Sequence, residues 1–168
     1  MGTNTELVAE SSYANARGRT HVLVVDDDKS TLRVLGLRLA DAGFSVVTAT
    51  NGAAALKEIE ERVPDIVLTD WEMPEVNGLS LCREIRKQDY DAYVYLILMT
   101  AHTEQMSASW CIAAGADEFF CKPVPANSLI ARLDAITRFL NASKELVNRA
   151  RGTSADAPKS ECSPCSVE

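Results

Sequence analysis

Five short apolar runs, separated by longer amphipathic stretches, constrain this chain more than any other feature of its sequence. The runs are 21–25 (His-Val-Leu-Val-Val), 44–48, 66–69 leading into Asp70, 93–99 and 118–121. They are short, rich in β-branched residues and nearly continuous in apolar character, as strands covered on both faces require. Between them the apolar residues fall at helical spacing. Leu32, Leu35 and Leu39 mark a helix over 29–42 that Gly43 closes. Ala53, Leu56 and Ile59 mark a second after the Asn51-Gly52 turn, and Pro64-Asp65 breaks it. Leu79, Cys82 and Ile85 line a third, 103–114 forms a fourth that ends at Gly115, and 128–140 forms the last. Strands that alternate with helices pair in parallel through right-handed crossovers. The expected fold class is therefore α/β, a doubly wound five-stranded parallel sheet with five helices.

The 168 residues suit one domain with modest extensions. Residues 1–19 are polar and aperiodic and read as a flexible leader. The domain proper is expected over 20–141. Residues 142–168 read as a helix extension and a disordered tail rich in Ser, Pro and Ala. The longest apolar run, Val94 to Met99, is far short of a membrane span of about 20 residues. Glu6 and Glu10 with no apolar segment exclude a signal peptide, so a cytoplasmic location with no membrane contact is expected. The net charge is −7. All of that excess lies in 20–140, which holds 18 acids and 11 bases. Such a domain repels a nucleic-acid backbone and fits a cation or a basic protein partner. Cys82, Cys111 and Cys121 sit in apolar patterns and read as small core residues. Cys162 and Cys165 form a single CxxC in the polar tail, read as reduced thiols without a metal.

In open α/β sheets, function gathers outside the carboxyl ends of the strands. Asp26, Asp27 and Asp28 follow the first run, Asp70 ends the third, Thr100 and Ala101 follow the fourth, and Lys122 follows the fifth. Clustered carboxylates repel one another and need a cation to stay ionised. A hard divalent ion such as Mg²⁺ suits them. A carboxylate is also a nucleophile toward phosphorus, and an ammonium with a metal would neutralise the charge on a transferring phosphoryl group.

Val24-Val25-Asp26-Asp27, Thr69-Asp70 with Met73-Pro74 and Gly78, Leu98-Met99-Thr100-Ala101 and Lys122-Pro123 together resemble the motif set of two-component response-regulator receiver domains. The stand-alone chemotaxis response regulator is a familiar member. The resemblance covers about 21–140 and implies a flavodoxin-like receiver fold. It implies that Asp70 is the phosphoacceptor, assisted by Thr100 and Lys122. It also implies that Asp26 and Asp27 hold Mg²⁺ with Asp70 and the backbone carbonyl of Glu72, Asp27 being favoured as a direct ligand. Thr100 and Phe119 would form the switch pair, Lys122-Pro123 would be cis, and Trp71, Ala101 and His102 would flank the site. Glu72 and His102, each two residues beyond a site residue, are expected to tune the lifetime of the phosphoryl group.

The implied partners are a sensor histidine kinase or phosphotransfer protein upstream and an unknown protein target downstream, with no nucleic acid. The chain would not be an enzyme beyond its own Mg²⁺-dependent phosphorylation and dephosphorylation. Asp26-Asp27-Asp28-Lys29-Ser30 also fits the opening motif of haloacid-dehalogenase-type phosphatases, in which Asp26 would be the nucleophile and Asp28 the acid/base. No late acidic metal motif accompanies it here. A binding module without phosphoryl chemistry is the other rival, and the complete set of five polar residues argues against it. Asp28 reads as a helix cap, and Trp110 with Met106 as packing. Leu129, Leu133, Ile136 and Leu140 are spaced as a helix seam whose rhythm continues through Ser143 to Val147. That overhang suggests a partner surface and a weak homodimer.

Overall fold

A computed structural model describes residues 20–101 and 108–153. The strands are β1 (His21–Val25), β2 (Ser45–Ala49), β3 (Ile66–Asp70), β4 (Tyr95–Thr100) and β5 (Glu118–Cys121). The helices are α1 (Lys29–Asp41), α2 (Gly52–Glu61), α3 (Gly78–Lys87), α4 (Ala108–Ala113) and α5 (Ala126–Thr153). All strand pairs are parallel, in the order β2-β1-β3-β4-β5. This is the doubly wound sheet expected from the alternation of runs.

Each strand sends alternate side chains to opposite faces. Leu23, Val25, Val67, Leu96 and Leu98 pack in one buried cluster with Ile59 of α2 and with Leu81, Cys82 and Ile85 of α3. Val22, Val24, Ile66, Leu68, Ile97 and Met99 pack in the other with Leu32 and Leu39 of α1 and with Leu129, Leu133, Ile136 and Leu140 of α5. The near-continuous apolar character of the central runs follows from this double burial. Register keeps like faces aligned, with Val24 beside Leu68 and Leu68 beside Ile97.

The helix caps are local and legible. Asn51 caps α2 by accepting the Ala54 N–H at 2.7 Å, and Asn77 caps α3 by accepting that of Ser80 at 2.9 Å. Below β4 and β5, Arg86 donates to the carbonyls of Gly115 (2.9 Å) and Val94 (2.8 Å) and pairs with Asp117 at 2.7 Å. Gly115 adopts φ +87, and a Cβ there would lie 2.6 Å from the Arg86 side chain. Glycine is thus needed both for the turn and for this latch.

Two expectations are corrected. Cys121 is exposed, not core, because β5 is an edge strand whose residues alternate between partly buried and exposed. Trp110 is 55% exposed on α4 and contributes little packing; Met106 and the start of the helix expected over 103–114 lie outside the described residues. α5 does run well past residue 140, as the overhang of its stripe suggested. Lys144 on that overhang pairs with Asp65, which also accepts the His21 N–H at 2.8 Å, and this ties the extension to the base of the sheet.

Candidate functional site

The site forms where β1, β3, β4 and β5 end along one rim. β1 delivers Asp26 into a buried position, 1% exposed, where its Oδ1 accepts the Asp28 N–H at 2.9 Å. Its other oxygen accepts from Lys122 Nζ at 2.7 Å. Asp27 is exposed beside it. Asp70 closes β3, and its Oδ1 lies 3.1 Å from Lys122 Nζ. Carboxylate oxygens of Asp26, Asp27 and Asp70 all fall within 4.8 Å of one another. Thr100 ends β4 at 1% exposure, and its carbonyl accepts the Lys122 N–H at 2.6 Å. That bond fixes the lysine's backbone against the rim, and the Lys122-Pro123 peptide is cis.

The electrostatics follow from crowding. Burial raises the Asp70 carboxyl above the ordinary carboxylate value, and nearby Asp26 adds to this against the opposing pull of Lys122. Burial lowers the Lys122 ammonium, yet its bonds to Asp26 and Asp70 outweigh that and hold it above the usual lysine value. The lysine is one cation among three carboxylates, so the cluster keeps room for more positive charge. Its donors are all oxygens, one of them buried and one exposed to solvent. This set fits a small hard divalent ion that keeps part of its water shell.

The β3–α3 turn is built around a close approach. A Cβ on Gly78 would lie 2.2 Å from the Asp70 carbonyl oxygen, and the Gly78 N–H donates to the Trp71 carbonyl at 2.9 Å. Only glycine lets the turn fold back this tightly over the strand end. Trp71 is half-buried against the cluster that covers α2 and α3, and Glu72 is exposed. Ala101 is exposed at the rim, and Phe119 on β5 is 38% exposed. Thr100 pairs in register with Cys121, and Leu98 with Phe119, so the hydroxyl and the aromatic sit two positions apart along neighbouring strands. His102 lies outside the described residues.

Asp28 takes a different part. It is the N-cap of α1, accepting from the Ser30 N–H (2.9 Å), the Thr31 N–H (3.3 Å) and the Thr31 hydroxyl (2.8 Å). The Ser30 bond foremost, with the Thr31 hydroxyl, holds its carboxyl below the usual value. A carboxylate so occupied makes a poor general acid, which removes the proton donor that a dehalogenase-type phosphatase would need. Asp28→Ala is expected to lower the melting temperature slightly through loss of the α1 cap. Thermal melts would check this; a variant as stable as wild type would show that the cap contributes nothing to the fold.

Sequence reasoning did not find the apolar groove beside the rim. It encloses about 560 Å³ between α1 and the segment after β5, and is lined by Val34, Leu35, Ala101, Pro123 and Val124 with Lys122 at its edge. Val34, 52% exposed, was the available signal, an apolar residue off the Leu32–Leu39 stripe.

Comparison with known proteins places these features in context. The family model for the response regulator receiver domain matches residues 22–134. Among similar curated proteins is "Probable transcriptional regulator ycf27" of Guillardia theta, 38% identical over 120 residues that cover 71% of this chain and 46% of that protein. The chain spans about half the length of the curated relatives it matches. Among solved structures, chemotaxis protein CheY4 of Vibrio cholerae is 27% identical with a TM-score of 0.66, covering 70% of this chain and 98% of that one. A response regulator receiver domain protein from Clostridium thermocellum is 31% identical with a TM-score of 0.64, covering 76% and 98%.

Proposed function

Because the chain belongs to the response regulator receiver family of two-component systems, we propose that it takes a phosphoryl group onto Asp70 from a histidine kinase or phosphotransfer protein, and that this changes its contacts with a downstream protein. One observation carries the reading: Asp70 sits at a strand end with its carboxylate within 4.8 Å of those of Asp26 and Asp27, and the Lys122 ammonium bridges it to Asp26, on the rim where buried Thr100 ends β4.

In the transfer, an Asp70 carboxylate oxygen attacks phosphorus. A P–O bond forms, the P–N bond of the donor phosphohistidine breaks, and the imidazole nitrogen keeps the bonding electrons. Lys122 is within reach of both Asp26 and Asp70, so it turns toward the incoming phosphoryl oxygens without leaving the site. Asp26, Asp27, Asp70 and the Glu72 carbonyl would hold Mg²⁺. When bound, that ion supplies charge neutralisation for the transferring group. The Thr100 hydroxyl is the proposed partner for a phosphoryl oxygen once transfer is complete, and Phe119 the neighbour through which the change reaches the surface. The groove beside Lys122 offers apolar surface to the donor protein close to the reacting carboxylate. The proposed output is a protein–protein contact.

Incubation with Mg²⁺ and acetyl phosphate, followed by intact-mass measurement, tests the reading. One phosphoryl group is expected on wild type and none on Asp70→Asn or when EDTA replaces the metal. A phosphoryl group that persists in Asp70→Asn would refute the assignment. Metal binding is separable from transfer. Trp71 is half-buried beside the site, so its fluorescence should report Mg²⁺. Asp27→Ala is expected to weaken that titration roughly tenfold or more, whereas Lys122→Ala retains it. Equal loss in both variants would contradict the separate roles.

A further inference from the structure

We propose that the outer flank of α5 is a self-pairing surface, on which two copies of this chain associate through antiparallel α5 helices. The inference does not depend on phosphorylation.

α5 carries two apolar seams. Leu129, Leu133, Ile136 and Leu140 are buried against the sheet. The second seam, Ala135, Phe139, Ala142 and Leu146, is spaced 4, 3 and 4 and turns away from that core. Phe139 is 62% and Leu146 66% exposed, and Ala142 is exposed. Along the helix this seam continues back to Arg132, which pairs with Glu118 at 2.8 Å. It therefore runs along the flank of α5 beside the edge strand β5, where no further element of the described residues covers it.

The seam is complementary to itself. When a second copy runs antiparallel about the point between Leu140 and Asn141, Phe139 faces the partner copy's alanine at 142, and Leu146 faces its alanine at 135. Each of the four layers then holds one large and one small side chain, as close antiparallel packing prefers. A two-fold axis makes the match isologous, so each copy supplies both the knobs and the holes. The charges beside the seam obey the same symmetry: Arg138 comes level with the serine at 143 of the other copy, two positions (about 3 Å along the axis) from its glutamate at 145 and within reach of it, and the reverse holds for Glu145. The layers beyond are closed by charge. Arg132 would meet the arginine at 149, and each is paired within its own chain, with Glu118 and Glu145 respectively. The apolar contact is thus about 17 Å long, which makes the pair weak and concentration-dependent. A different protein would have no need of a pattern that reads as its own complement when reversed.

Sedimentation of the full chain under reducing conditions, over a concentration series into the hundreds of micromolar, tests the proposal. Wild type is expected to form a reversible dimer. Ala142→Phe fills the hole that receives Phe139 and is expected to weaken the dimer roughly tenfold or more, although it adds apolar surface. The swap Phe139→Ala with Ala142→Phe exchanges knob and hole on both copies and is expected to restore the dimer. Arg138→Glu should weaken association, and Arg138→Glu with Glu145→Arg should recover it. Circular dichroism of each variant confirms that the helix is kept. The swap has the wild-type composition, so its recovery cannot be attributed to folding. A monomer at every concentration would overturn the proposal. Stronger association of Ala142→Phe would replace it with a merely sticky face, and failure of the swap to restore pairing would reject the antiparallel register.

Discussion

Lys122→Ala is expected to destabilise the metal-free protein by about 3 kcal/mol, the low end of what breaking a buried ion pair costs. Asp26 is almost fully buried and holds Lys122 Nζ at 2.7 Å. Its neighbours Asp27 and Asp70 carry the same charge within 4.8 Å. Without the lysine, the three carboxylates share the rim with no cation bonded to them among the described residues. The lysine's ammonium is held above its usual value, so its contribution is fully present at neutral pH and is lost only as pH rises through that raised value. Urea unfolding at pH 7 in EDTA would measure the cost. Mg²⁺ should then stabilise Lys122→Ala more than wild type, because the ion takes over the neutralising role. A variant as stable as wild type in EDTA would show that the ammonium does not hold the cluster together.

Asp70→Asn should move stability in the opposite direction. The Asp70 carboxyl is raised by burial and by nearby Asp26, so the folded state keeps its proton to higher pH than the unfolded chain does. Stability therefore falls as pH rises from the unfolded carboxylate value, about 3.9, through the raised folded value. At pH 7 the wild-type chain bears the full cost of a buried charge that asparagine lacks. The variant is expected to melt roughly 3–5 °C higher in EDTA at pH 7, with the gain shrinking toward pH 4. Saturating Mg²⁺ should reverse the order, since the ion stabilises the aspartate and not the amide. Thermal melts across pH, with and without metal, would check this; a variant less stable than wild type at pH 7 in EDTA would contradict it. The strain that the site imposes on the apo fold is thus the same charge that would make Asp70 a nucleophile.

The fold was legible because its central strands are buried on both faces and its helices each show an apolar stripe at helical spacing. β5 was located to the residue as Glu118–Cys121. β2 was placed one residue early, since Phe44 is as apolar as the strand that follows and packs in the same core. The site residues were legible as a group because each follows a strand, and a parallel sheet brings all such positions to one rim. Misread positions share one cause. Cys121 and Trp110 are apolar residues in apolar patterns, and nothing local marks a strand as the sheet's edge or a helix face as solvent-facing. The same blindness hid the outer seam of α5. Ala135, Phe139, Ala142 and Leu146 have core-like composition, and only the placement of α5 beside an edge strand separates them from Leu129, Leu133, Ile136 and Leu140.

Asp70, and no other carboxylate of the rim, is the proposed acceptor of the phosphoryl group. Borohydride reduces an acyl phosphate to an alcohol and so converts a phosphorylated aspartate to homoserine in place. The chain would be treated with acetyl phosphate and Mg²⁺, quenched with borohydride, digested and sequenced by tandem mass spectrometry. Homoserine is expected at position 70 alone, and none when either the donor or the metal is omitted. Homoserine at position 26 or 27, with Asp70 intact, would contradict it.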